Sequence, residues 1–104
     1  MISLLYITFP NEMVATELTN HLIVNGLAAC RNIFPIQSGY LWQSDFCNDH
    51  EIAAIVKTMP SYVLKVEEYV LANHPYEVPC IIRWEAVANA DYEAWIQSCL
   101  KPII

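Results

Sequence analysis

The stretch Ile52-Ala53-Ala54-Ile55-Val56, inside the segment CNDHEIAAIVKT at 47–58, is apolar at every position. A strand sends successive side chains to opposite faces, so this run predicts a strand that is covered on both sides. The segment ISLLYITF at 2–9 reads the same way, with Ile2, Leu4 and Tyr6 on one alternating set and Leu5, Ile7 and Phe9 on the other. Moving toward the N-terminus from 52–56, a polar bend at Gln43-Ser44-Asp45 joins segment 47–58 to the extended segment AACRNIFPIQSGYLW at 28–42. An antiparallel hairpin is the simplest reading, with Pro35 and Gly39 predicting a bend or bulge in its first arm.

The remaining segments read as helices and one more strand. Asn11 offers an N-cap with Glu12 in the first turn, and Val14, Leu18 and Leu22 recur at helical spacing until Gly26 ends the helix. Segment 61–73, SYVLKVEEYVLAN, places Val63, Val66 and Val70 on one face before His74-Pro75 stops it. Segment 80–87, CIIRWEAV, reads as a strand, and 90–100, ADYEAWIQSCL, as a last helix capped by Asn89. The order β-α-β-β-α-β-α over a single domain, 1–104, is α+β: a ferredoxin-like βαββαβ unit with an antiparallel sheet and an extra C-terminal helix. Two helices cover one sheet face, yet both faces of the central strands are apolar. A second copy of the chain is the available cover for the other face.

Composition agrees with self-association. Charged residues are 15% of the chain, against about 25% in a typical domain, and hydrophobic residues are 56%. A small chain with so little surface charge exposes apolar patches unless a partner covers them. The 11 acidic residues outnumber the 5 basic ones for a formal charge of -6. Arg31, Lys57, Lys65, Arg83 and Lys101 are scattered, so nucleic acid and anionic membranes are not expected partners. No uncharged stretch approaches the ~18 residues of a spanning helix, and the apolar start lacks the basic region of a signal peptide. The 4 cysteines include no CxxC pair and are expected reduced, which places the chain in the cytoplasm.

Several enzyme classes drop out. With only Gly26 and Gly39, no GxGxxG or GxxxxGKS phosphate cradle exists, and no serine lies in a GxSxG elbow. Thiolate and imidazole suit copper or zinc, and spacing leaves the metal question open. Cys47-Asn48-Asp49-His50, flanked by Asp45, Asp49 and Glu51, is either half a site on the hairpin tip or a solvated acidic turn. His74 and Cys80 flank the stiff stretch Pro75–Pro79, as two ligands or as a helix stop with a packed histidine. Cys30 with His74, oriented by Glu77, is the one nucleophilic pair to test. Tyr40, Trp42, Tyr76, Trp84 and Trp95 either line a small-ligand cleft or form the aromatic core of an interface.

Read together, LAACRNIFP at 27–35, Ser38-x-Tyr40-x-Trp42, Lys57-Thr58, HPYEVP at 74–79 and Tyr92-x-x-Trp95-Ile96 resemble the CutA divalent-cation tolerance family over nearly the whole chain. The resemblance implies a ferredoxin-like protomer in a tight homotrimer, linked to tolerance of copper and other divalent cations, with Cu²⁺ binding and a PII-like signalling role among its proposed properties. No enzymatic reaction and no organic cofactor are implied. By position, Cys30 and His74 match residues proposed for metal binding in the family. Ile7 stands where some members carry a third sulfur, Gln43-Ser44 where a glycine is usual, and Cys80 where a glutamate is usual. The expectation is therefore a non-enzymatic, cytoplasmic homotrimer that takes Cu²⁺ or another divalent ion near its intersubunit clefts through Cys30, His74 and Cys80. The alternative is a trimeric small-molecule sensor or interaction module in which Tyr40, Trp42, Lys57, Tyr76 and Glu77 shape a cleft for an anionic or polar metabolite.

Overall fold

The structure, a computed structural model, describes residues 1–103, so the last residue of the expected 1–104 unit lies outside the described residues. Its elements are β1 (Ile2–Phe9), α1 (Glu12–Val24), β2 (Cys30–Trp42), β3 (Asp45–Thr58), a 3-10 turn (Pro60–Tyr62), α2 (Val63–Asn73), β4 (Ile81–Ala86) and α3 (Ala90–Cys99). The four strands form one sheet in the order β2-β3-β1-β4, with every neighbouring pair antiparallel. This is the expected ferredoxin-like unit with a third helix appended.

Alternation along the strands separates the two faces. Leu5, Ile7 and Phe9 of β1, with Ala54 and Val56 of β3, are fully buried against Ala15, Leu18 and Leu22 of α1 and Val66 and Val70 of α2. Asn11 caps α1 as expected, its Oδ1 accepting the Val14 N–H at 2.9 Å. Gly26 ends α1 with a φ of +71°, the left-handed region in which a Cβ is disfavoured. On the opposite face α3 covers one end of the sheet, where Ile96 packs on Ile2 and Ala29 and against Leu4, Ala86 and Tyr92. Asn89 precedes α3, but its side chain makes no capping hydrogen bond.

The hairpin differs from its expectation in two details. The β2–β3 register runs without interruption from Cys30↔Lys57 to Trp42↔Asp45, so neither Pro35 nor Gly39 introduces a bulge. Pro35 is tolerated because β2 is an edge strand, where a missing N–H breaks no necessary ladder bond. The turn is only Gln43-Ser44, with φ of 51° and 72°, the positive pair that a tight two-residue hairpin requires. Asp45 is therefore already strand. β1 pairs with β3 only from Thr58 to Ile52, so the outer half of the hairpin extends past the sheet as a two-stranded arm.

Candidate functional site

Where the arm leaves the sheet, the segment between α2 and β4 folds against it and encloses a cleft of about 390 Å³. Its lining comes from three sources: Tyr40, Trp42, Cys47 and Glu51 from the arm, Tyr76, Glu77, Val78 and Cys80 from the α2–β4 segment, and Thr8 from β1. Tyr40 and Trp42 share a parity on β2, as do Cys47, Asp49 and Glu51 on β3. The pairing Tyr40↔Cys47 puts both sets on the same face of the arm.

His74 locks the α2–β4 segment in place. Its Nε2 lies 2.7 Å from the Thr8 carbonyl oxygen, which can only accept, so Nε2 carries the proton. Nδ1 accepts the Tyr76 N–H at 3.1 Å. The ring also stacks on Phe9 with centroids 5.2 Å apart and meets Tyr76 at 4.8 Å. Both ring nitrogens are thus engaged, and His74 stands behind the cleft as a fastener.

Two phenols hold two carboxylates. The Tyr76 hydroxyl donates to Glu51, and the Tyr40 hydroxyl donates to Asp49 at 2.5 Å. The hydrogen bond to Asp49 pushes the Tyr40 phenol up to about 12, while burial, and then the bond to Glu51, push Tyr76 higher still. Both rings stay protonated and neutral at physiological pH. Burial raises the Cys80 thiol, the nearby Glu51 charge adds to that rise, and a hydrogen bond from Thr8 opposes it.

Lys57 and Cys30 lie elsewhere. They are paired across β2 and β3, and both meet Tyr92 of α3: Lys57 Nζ donates to the Tyr92 hydroxyl at 3.3 Å, and Cys30 Sγ is 3.7 Å from the same oxygen. Lys57 Nζ also stands 5.4 Å from the Tyr92 ring centre. Lys57 is level with Leu4 on β1 whereas His74 binds Thr8, so the two groups are separated by about 13 Å along the strand. The structure brings Tyr40, Trp42, Tyr76, Glu77 and Cys80 together. Within one protomer it leaves Cys30 and Lys57 at the other end of the sheet, away from this cleft. Among the described residues, no three His, Cys, Asp or Glu side chains gather closely enough to hold an ion.

Glu51 and Asp49 are the residues that sequence reasoning placed only in an acidic hairpin tip. Their signal was the parity they share with Cys47, which faces Tyr40 once the turn is cut to two residues. Thr8 and Tyr92 carried no such signal, because each acts through a partner far away in sequence.

The profile of the family described as CutA1 divalent ion tolerance protein matches residues 3–99. The chain belongs to this family. It is 40% identical over 96 residues to the divalent-cation tolerance protein CutA of Thermotoga maritima, spanning 90% of this chain and 94% of that one. The chloroplastic protein CutA of Arabidopsis thaliana is 36% identical over 98 residues, 92% of this chain, which spans only about half (54%) of the plant protein. The solved structure of the periplasmic divalent cation tolerance protein CutA from Archaeoglobus fulgidus superposes with a TM-score of 0.93 at 33% identity, covering 97% of this chain and 100% of that one. The family is named for ion tolerance, not for a reaction. These relatives are described as belonging to different compartments, and no helix among the described residues is long and apolar enough to cross a membrane.

Proposed function

We propose that this chain is a divalent-cation tolerance protein that works by capturing ions rather than by turnover, with Cu²⁺ the first candidate and a homotrimer the working assembly. The observation that carries the ion reading is that the Cys80 thiol and the Glu51 carboxylate line one cleft, Cys80 on a segment that His74 fixes to β1. A thiol and a carboxylate supply two of the about four donors a borderline metal takes, and the remaining ligands come from water or a neighbouring copy. Cys30 is a second, separate thiol candidate at the α3 end. His74 joins a metal shell only by giving up its bond to Thr8 or to Tyr76. Ion binding requires the Cys80 thiolate, so uptake releases a proton and strengthens as pH rises.

The uncovered half of the outer sheet face supports assembly. Ile82 and Trp84 are 55% and 43% exposed there. Among the described residues no helix covers them, and a second copy is the simplest cover.

Equilibrium dialysis with elemental analysis, under anaerobic conditions with a competing chelator, tests the ion reading on wild type, Cys30→Ala, His74→Ala and Cys80→Ala. The expected result is one tight ion per protomer, lost in Cys80→Ala and retained in His74→Ala, whose deficit appears as lower stability. Uptake unchanged in all three variants overturns the reading. Light scattering checks the assembly, and a stable monomer overturns it.

A second reading, small-molecule sensing, is favoured by the size of the cleft. Its volume falls in the range of about 300–1,000 Å³ usual for small-molecule sites, far more than a bare ion needs.

A further inference from the structure

Asparagine followed by glycine is among the most labile pairs in any chain, because the side-chain amide carbon can be attacked by a backbone nitrogen that no neighbouring side chain shields. This chain holds Asn-Gly once, at 25–26, in the turn that ends α1. The turn belongs to the helix layer, on the sheet face opposite the one that a second copy covers.

In the folded chain the reaction is blocked. Attack needs the Gly26 nitrogen turned toward Cβ of Asn25, but at a ψ of 6° it eclipses the Asn25 nitrogen instead. The Gly26 N–H donates to the Ile23 carbonyl at 3.1 Å, and Asn25 Nδ2 donates to the His21 carbonyl at 2.8 Å. Nucleophile and leaving group are both held. The segment after α3 crosses the turn and keeps it shut: the Gly26 carbonyl accepts the Lys101 N–H, Lys101 Nζ donates to the Val24 carbonyl, and the Tyr62 hydroxyl donates to the Lys101 carbonyl. Lys101 packs so closely that no room is left for a Cβ on Gly26.

We propose that Asn25 is a deamidation site gated by this Lys101 strap. When the strap opens, the Gly26 nitrogen attacks Asn25 Cγ, the Cγ–Nδ2 bond breaks, and a five-membered imide forms. The proton lost by the Gly26 amide leaves with the departing ammonia. Water then adds to one or the other imide carbonyl, and the ring opens to aspartate or to isoaspartate, whose backbone runs through Cβ. No oxidant or cofactor is consumed.

The product does not restore the turn. A carboxylate has no N–H for the His21 carbonyl, so two acceptors face each other, and its charge meets the negative end of the α1 dipole. Isoaspartate also lengthens the backbone by one atom just before Gly26, which has to sit at a φ of +71° against Lys101. Deamidation is therefore one-way and leaves the strap open. No cleft residue takes part, so the site is independent of the ion reading.

The test is storage of the full chain at mildly alkaline pH, native and in urea, with deamidation of Asn25 read by peptide mass spectrometry and isoaspartate by enzymatic methylation. Conversion is expected in both, at least about tenfold slower in the native chain. Tyr62→Phe and Lys101→Ala each remove one hydrogen bond from the strap and are expected to speed native conversion about two- to tenfold, with no change in urea. Converted chain is expected to exchange its Lys101 amide hydrogen faster than unconverted chain. Native conversion as fast as in urea, no native conversion while the unfolded chain converts fully, or both strap variants converting at the wild-type rate overturns the proposal. Unchanged exchange at Lys101 after conversion overturns the release of the strap.

Discussion

On one side of β1, Leu5, Ile7 and Phe9 are completely buried under α1 and α2; on the other, Leu4 and Tyr6 are only partly covered, and Thr8 lines the cleft. The same strand therefore faces a finished core and an unfinished one. The inner face holds the fold together. The outer face is divided between α3, which seals the Ile2 end, and the acidic, aromatic cleft at the Thr8 end. The difference teaches where substitutions will be read as lost stability and where as lost binding or assembly.

The largest effect is expected at Phe9, which is fully buried and also supports the His74 ring. Phe9→Ala is expected to cost about 3–5 kcal/mol in urea denaturation, because it leaves a cavity and removes the stacking partner of the segment's fastener. Ile82→Glu, on the outer face, is expected to behave oppositely: the chain stays folded by circular dichroism while its mass in light scattering falls. A loss of folding in Ile82→Glu as large as in Phe9→Ala would erase the contrast between the faces.

A smaller effect is expected where the two layers are tied together. The carbonyl of Gly26, just beyond α1, accepts the Lys101 N–H at 3.0 Å, and Lys101 Nζ donates to the Val24 carbonyl at 3.0 Å. Tyr62 donates to the Lys101 carbonyl at 2.7 Å. A Cβ on Gly26 would stand 2.7 Å from the Lys101 backbone nitrogen at a φ of +71°. Gly26→Ala is expected to cost about 1–3 kcal/mol and to free the segment after α3, which hydrogen exchange at Lys101 would report. Unchanged exchange there would show that α3 is held by Ile96 alone.

The inner layer was legible in the sequence because periodicity reports burial. Alternation at 2–9 and 52–56, with i+4 spacing in α1, led to the element order and so to the ferredoxin-like reading. Cleft chemistry was less legible. Tyr40, Trp42, Tyr76, Glu77 and Cys80 are brought together, but Lys57 joined that set only because it matched a motif, and its register with Cys30 takes it to the α3 end. Asp49 and Glu51 looked like a solvated tip because the turn was read one residue too long, which hides that 47, 49 and 51 share a face with Tyr40 and Trp42. His74 was a candidate ligand by residue type. Its role here is fixed by the Thr8 carbonyl and the Tyr76 N–H, and no local pattern reports on a partner 66 residues away.

The smallest effect isolates one phenol of the cleft. Tyr40 is exposed, and its hydrogen bond to Asp49 raises its pKa from 10.0 to about 12. A raised folded-state pKa means that the native state favours the protonated phenol. The resulting stabilisation is fully present below pH 10 and is lost as pH climbs from 10 toward 12, because a tyrosinate beside Asp49 sets two negative charges face to face. Solvent screens this contact, so the change in overall stability is small and the titration itself is the better readout. The difference in tyrosinate absorbance between wild type and Tyr40→Phe is expected to show one phenol ionising near pH 12. A midpoint near the ordinary 10.0 would mean that Asp49 does not hold the ring, and the cleft would then lose one of its two pinned aromatic walls.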